Sequence, residues 1–429
     1  MTPRAARLGW WSSLVVGAAA ECVAEDGGPG PAIVERVENG VTIVAHSGLD
    51  LADTLSWSID TTDVVRIGVM EGPEEEMIGR LAGYLLRPDG RILFGDGVAH
   101  ELRLFDDDGS FVGSVGRAGE GPGEYGWLYG LQPYPGDSVA VLDNEGGRVT
   151  ILDPDLEYVR RYRPRLRETR ATPPMTSHRL IGFFDDGQAL MSDFLNVCGM
   201  QRMEGYCQDS VAFFRTDTAG ASTARFGRFV YGRSASTRAS GVGIRTREPH
   251  PQAMWAVHGQ RFYYADARRW EILVHRSDGT LERIIRVREE IPRYTRGEAL
   301  PVPDPPAGRE DDPELRATMD AVARFYGEVA LPDSFPAFSD MLVDTEGNLW
   351  VREYRPLSRW EADGRPRWFV FDPRGHLTHA VRTVPAMTRD FFPTTQGIPR
   401  IGADRILGSV RDELGVERLV LHRLRKSGS

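Results

Sequence analysis

Strand-only periodicity, a four-strand unit that recurs along the chain and one unmatched N-terminal strand predict an all-β fold: a six-bladed β-propeller. The clearest unit runs from Leu81 to Val115. Its first strand, AGYLL, meets Pro88-Asp89-Gly90 and turns into RILFGD. Its third strand, ELRLF, meets Asp107-Asp108-Gly109 and turns into SFVGSVG. Apolar runs broken by Asp-Gly pairs are hairpin signals, because glycine supplies the positive φ that tight turns need. An open stack of hairpins or a β-sandwich has the same strand periodicity. The regular order of turn, strand and acid favours the ring.

Five more units follow. The second holds WLYGLQPY, SVAVLD, RVTILD and EYVRRY. The third holds RLIGFF, QALMSD, SVAFFR and STARFG. The fourth holds MWAV, QRFYYAD, EILVH and LERIIRV, and the fifth DMLVD, NLWVREY, RWFVFD and LTHAVRT. The sixth has three strands only, ending in VERLVLHRL. The segment Val64 to Val69 precedes the first unit and belongs to none. It supplies the missing strand, so that the N-terminus closes the last blade and no sheet edge is left open.

Strands alternate in direction within a blade. The turns joining strands one to two and three to four therefore share one face, and all other connections share the opposite face. The first set is uniformly tight. The second carries the insertions: Arg163 to Ser177, Asn196 to Ser210, Val230 to Gln252, Ile291 to Pro336 and Tyr354 to Pro366. Binding residues concentrate on loops held by rigid scaffolds, so this face is the expected binding face. Tolerance of insertions is the alternative explanation.

Charge is uneven among these loops. Six arginines fall between Arg160 and Arg170, and six between Arg225 and Arg247. The Ile291 to Pro336 insertion is acidic, with Glu310, Asp311, Asp312 and Glu314. The loops either pair with one another or leave an anion-attracting mouth. Within the acidic insertion, Leu315, Met319, Val322 and Phe325/Tyr326 recur at helical spacing behind Pro313 and Glu314, predicting a short helix over 312–329. Candidate ligand-binding residues on this face are Arg165, Arg233, His250, Arg352 and Glu353.

An acid ends the second strand of every unit: Asp96, Asp143, Asp193, Asp266, Glu353 and Asp412. A ring of carboxylates offers weak candidates for a hard cation such as calcium. Repetition in every blade favours caps that accept backbone N–H groups. The runs Gly119 to Gly123 and Gly72 to Pro73 read as inter-blade turns rather than anion cradles. His250 and His258 read as ordinary loop or turn residues rather than acid–base groups. Trp57, Trp127, Trp255, Trp350 and Trp368 read as packing residues.

The 429 residues carry a net charge of −10, which argues against nucleic acid as partner. Arg4 and Arg7 ahead of the apolar Leu8 to Ala20 read as a signal segment over 1–24, too short to span a bilayer comfortably. An N-terminal extension over 25–56 follows, and the propeller occupies 57–429, with its helical insertion at 291–336. Export to the periplasm or the exterior is expected, with lipid anchoring through Cys22 as an alternative. Cys198 and Cys207, nine positions apart in an exported chain, read as a local disulfide. There is no GxSxG, HExxH, EF-hand or dinucleotide fingerprint, and the only lysine is Lys426, so no phosphate-binding loop of the GxxxxGK type is possible.

The segments GRAGEGPGEY (116–125), AFSDMLVDTEGNLWVREYRP (337–356), FVFDPRGH (369–376) and IGADRILGSVRDELGVERLVLHRL (401–424) resemble exported bacterial six-bladed β-propellers of the NHL-repeat-related type, over about residues 60 to 425. The resemblance implies the fold and carries no catalytic residues onto this chain. Enzymatic six-bladed propellers, lactonase-like hydrolases and amidating lyases, use a metal in the central channel. Two functions are therefore expected of different kinds. The first is an exported binding module for a protein, peptide or glycan, without catalysis and without cofactor. The second is a metal-dependent lactonase-like hydrolase or lyase with its site at the channel mouth.

Overall fold

The computed structural model describes residues 33–49, 57–143, 147–164, 176–195, 205–239, 242–246, 252–299, 311–328, 334–356, 365–382, 384–387 and 399–426, together with 308 and 331. They form six antiparallel blades. The first is built from Leu81–Leu86, Ile92–Asp96, Glu101–Phe105 and Phe111–Val115. In the last, Arg400–Ile401, Arg405–Arg411 and Glu417–Arg425 are completed by the N-terminal Ser58–Ile67. That strand begins earlier than the Val64 to Val69 expected. Its first half follows a bulge opposite His422/Arg423, after which Asp60, Ile59 and Ser58 pair with Arg423, Leu424 and Arg425.

Ring closure is visible in the core. Each strand of a blade presents successive side chains to opposite neighbours. Leu93 packs with blade two, whereas Ile92 and Phe94 pack with blade six. Large apolar clusters lie between blades one and two, two and three, three and four, four and five, five and six, and six and one. Six blades with six interfaces make a closed ring; an open stack would leave one interface unmade. Sheets buried on both faces also explain why runs such as ILF and VAVL are continuously apolar rather than alternating.

The tight turns follow the expected chemistry. At Pro88-Asp89-Gly90 the Gly90 N–H bonds the Arg87 carbonyl at 2.9 Å and Gly90 has φ +87°. Inner strands carry a recurrent bulge, at Leu81/Gly83, Leu128/Gly130, Leu180/Gly182 and Phe338/Asp340. At Gly83 a Cβ would lie 2.8 Å from the Leu131 nitrogen, so the absence of a side chain lets blades one and two approach.

Three features depart from the expected layout. First, part of the N-terminal extension is integral to the propeller. Ile33–Glu38 and Val41–His46 form a hairpin through Asn39-Gly40, and Val41–His46 pairs in parallel with Leu281–Val287, the outer strand of blade four. Second, much of the two insertions in and after blade three is strand. Gly205–Thr216 and Ser222–Ala239 run on beyond Leu195, pairing as far as Gly205 with Ser236, and Val242–Thr246 folds back on Ala235–Ala239. Third, Trp127 is half exposed rather than packed in the core.

The expected helix is present as Pro313–Glu328, between blades four and five. Asp312 caps it by accepting the N–H groups of Glu314 at 3.0 Å and Leu315 at 3.2 Å. Phe325 and Tyr326 cluster with Tyr294 and Leu331. The helix packs against the blade-three strand Ser222–Ala239. No helix among the described residues is long and apolar enough to cross a membrane.

Candidate binding face

The antiparallel order places the ribbon of blade three and the helix of the blade four–five connection on one face, opposite the Asp-Gly turns. All six recurrent acids also lie where strand two reaches this face, and each is engaged locally. Asp96 is buried and accepts the N–H groups of Gly79 (2.9 Å), Arg80 (3.3 Å), Val98 (2.8 Å) and Ala99 (3.2 Å), with Arg103 at 3.6 Å. Asp143 repeats this on Gly126 and Trp127, each at 3.1 Å, and pairs with Arg148. Asp193 stands between Arg228 at 3.3 Å and His178 at 3.6 Å. Asp266 accepts Arg268 N–H at 3.1 Å and pairs with its guanidinium. Glu353 takes Arg355 at 3.0 Å and Arg367 N–H at 3.2 Å.

Asp412 is engaged differently. It opens the turn after strand two of blade six and accepts Leu414 and Val416 N–H groups at 3.0 Å, with Arg418 at 2.8 Å. Asp96, Asp143, Asp266 and Asp412 thus cap backbone N–H groups of their own inner strand or turn and Glu353 that of the third strand, whereas Asp193 pairs with side chains. Among the described residues no three of His, Cys, Asp and Glu come together as ligands for one ion.

Of the candidate ligand-binding residues, Arg352 donates to Ser339 Oγ at 2.9 Å and lies over the Trp368 ring, 5.7 Å from its centroid. Its neighbour Glu353 is held by Arg355 and Arg367 as above. Arg165, His250 and Cys198, and the side chains of Arg233 and Cys207, lie outside the described residues. The expected pairing of basic with acidic loops and the disulfide therefore fall there too.

The channel wall is stitched between blades. Arg400, on the inner strand of blade six, donates to the Tyr84 carbonyl of blade one at 3.1 Å and to the Leu131 carbonyl of blade two at 3.3 Å. Gln132 donates to the Ile181 carbonyl of blade three at 3.2 Å. The glycine run after blade one is an inter-blade turn: Gly121 N–H is taken by the Glu124 carboxylate at 2.7 Å, which occupies the cradle with the chain's own anion.

The reading of motifs missed a rim of exposed apolar side chains. Met70 and Met77 precede blade one, Val98 joins its second and third strands, Trp127 precedes blade two and Leu414 sits in the blade-six turn. All four connections belong to the loop-bearing set. Listing the large apolar residues within that set would have found them. On the opposite face, a cleft of about 520 Å³ between blades four and five is lined by His258, Gln260, Arg261, Asp278, Glu282 and Glu346. Burial holds the His258 imidazole below its ordinary pKa, and Arg261 is committed to Glu282 at 3.2 Å.

No family model matches the chain, and no curated protein does. Solved structures do. A protein of Bacteroides fragilis described as exported aligns over 87% of this chain and 99% of its own at 13% identity, TM-score 0.41. A member of the DUF4221 family from Bacteroides vulgatus aligns over 86% and 98% at 9% identity, TM-score 0.42. Virginiamycin B lyase from Staphylococcus aureus aligns over 85% and 99% at 9% identity, TM-score 0.34. The sheets, their six interfaces and the N-terminal closing strand identify this chain as a six-bladed β-propeller.

Proposed function

We propose that this propeller is an exported binding module that holds a protein, peptide or glycan on its loop-bearing face and performs no chemistry there. One observation carries the reading: the insertions of a closed ring emerge on one face, where the ribbon of blade three and the helix Pro313–Glu328 meet. A rigid scaffold with elaborated connections on one side is the usual plan of a recognition surface. The Asp96 and Asp143 carboxylates, the weak cation candidates of blades one and two, accept backbone N–H groups and pair with arginines, which supports the reading.

The test is a peptide and glycan array probed with the exported protein, compared with a variant whose residues 233–246 are replaced by a two-residue Asn-Gly turn. Binding that disappears in the variant supports the reading. Binding unchanged in the variant and in a second one lacking 311–328 overturns it. Stoichiometric calcium or zinc in the purified protein, with turnover of lactone substrates, would also overturn it. Recovery of a mature chain beginning near residue 25 in the periplasmic or extracellular fraction checks export.

A further inference from the structure

The rim of blades six, one and two points to a particular class of ligand, and the inference rests on the reading of this face as the binding face. Trp127 is 52% exposed and Leu414 78%, with Met70, Met77 and Val98 exposed beside them. Burying such side chains is the main favourable term in association, and exposed groups of them mark interaction sites.

Four of the five are linked by a chain of contacts. Leu414 lies in the turn leading to Glu417, whose carboxylate accepts Leu81 N–H at 2.7 Å. Arg103 holds the segment before Leu81 through the carbonyls of Glu75 at 3.2 Å and Met77 at 2.6 Å. At Gly79, a Cβ would lie 2.7 Å from the Cβ of Val98. Arg80 bonds the Gly97 carbonyl at 3.3 Å and lies 4.6 Å from the Trp127 ring centroid. The connections bearing Leu414, Met77, Val98 and Trp127 are thus tied together into one rim from blade six to blade two, and Arg80 fixes the indole in place.

Its border is acidic. Glu71, Glu74, Glu120 and Glu413 are exposed, and none has an ion-pair partner among the described residues. Of the nearby cations, Arg117 pairs with Glu124 at 2.7 Å and Arg411 with Glu417 at 2.6 Å, while Arg80 and Arg161 bond backbone carbonyls and keep their charge. Apolar anchors beside four exposed carboxylates, which outnumber these two cations, fit a chain segment with large apolar side chains flanked by lysine or arginine. They repel phosphates and anionic lipid headgroups.

We propose that this rim docks a basic, apolar-rich peptide segment of a partner protein. The probes are two fluorescent synthetic peptides of identical apolar content, one with lysines and one with glutamates between Leu and Trp, followed by anisotropy. The lysine peptide is expected to bind at least about tenfold more tightly than the glutamate peptide and to weaken with salt. Trp127→Ala, and Glu71→Gln with Glu74→Gln and Glu413→Gln, should each weaken it by about fivefold or more, since exposed positions leave the fold intact. Equal affinity for both peptides, no binding of either, or indifference to these variants overturns the proposal.

Hydrogen exchange with the lysine peptide bound separates this inference from the one beneath it. Protection of 70–80, 97–100 and 126–128 supports the rim. Protection confined to 313–328 or 222–239 refutes the rim while sparing the loop-bearing face. Protection of the Asp-Gly turns refutes both. Concentration-dependent dimerisation abolished by Trp127→Ala would show a second copy on the patch and overturn a peptide partner.

Discussion

Leu421, in the last strand of the chain, lies opposite Val65, in the first strand of the ring. The two ends of the propeller are thus held by a ladder running from Leu419 with Ile67 to Arg425 with Ser58. Because Leu421 is buried between blades six and one with Leu407, Tyr84 and Phe94, it joins sheet pairing to ring closure. Leu421→Ala should destabilise the whole protein by about 2–5 kcal/mol, the cost of a buried leucine and its cavity. Urea unfolding followed by circular dichroism measures it. A loss below about 0.5 kcal/mol, the range of a neutral surface change, would mean that the ends do not close the ring.

Two acids of the repeated series should behave differently. Removing the Asp96 carboxylate strips four backbone N–H groups and the buried Arg103 of an acceptor at once. Asp96→Ala is expected to cost about 2–4 kcal/mol. Asp412 organises an exposed turn, and its pair with Arg418 is screened by solvent, so Asp412→Ala should cost only about 1 kcal/mol. Parallel denaturant melts of the two variants test the distinction; equal losses would refute the difference in role.

How far sequence alone reaches is clear from particular segments. The blades were legible because Asp89-Gly90, Asp108-Gly109, Asp186-Gly187 and Asp278-Gly279 encode their turns locally, and Val64 to Val69 had no partner nearby. The hairpin Ile33–His46 carried its own local signal in Asn39-Gly40. Its parallel pairing with Leu281–Val287 is a contact between distant parts of the chain and leaves no periodic trace. Trp127 was misread because aromatics near strands are usually core. It lies instead beside Arg80, which bonds Gly97, a proximity only the fold creates. Side-chain commitment was equally invisible: Arg352 and Glu353 looked available until Ser339, Trp368, Arg355 and Arg367 were placed around them.

Acid should destabilise the propeller through its buried histidines. Burial lowers the pKa of His46, His275 and His422, each further modulated by a backbone carbonyl. The folded state therefore prefers the neutral ring, while the unfolded chain takes up protons first as pH falls. Stability is full above the ordinary histidine value near 6.5 and declines below it. His275 sits among Phe226, Phe229 and Phe262, with centroids 5.9–6.0 Å away. His275→Phe keeps an aromatic ring in that cage and removes the titration. The slope of unfolding free energy between about pH 7 and pH 5 should become shallower in this variant, by at most about one proton. An unchanged slope in guanidinium melts at several pH values would exclude His275 as a contributor.

The hairpin on blade four supplies the last expectation. Blades one and two leave their outer strands exposed, at Phe111 and Val112 and at Tyr158 and Val159. Blade four instead covers Leu281–Val287 with Val41–His46, burying Ile43, Val44 and His46, whose Nε2 lies 2.9 Å from the Gly375 carbonyl of blade five. Glu35 on the same hairpin reaches His376 of that blade. The hairpin thus shields an edge and clamps two blades. Its removal, by deleting residues 33–46, would expose a row of unpaired N–H and C=O groups beside apolar Ile284 and Ile285. The deletion variant should melt at lower temperature and form concentration-dependent oligomers in light scattering, with hydrogen exchange fastest in 281–287 and 372–376. A monomer with unaltered melting would show that blade four closes its own edge and that the hairpin is dispensable.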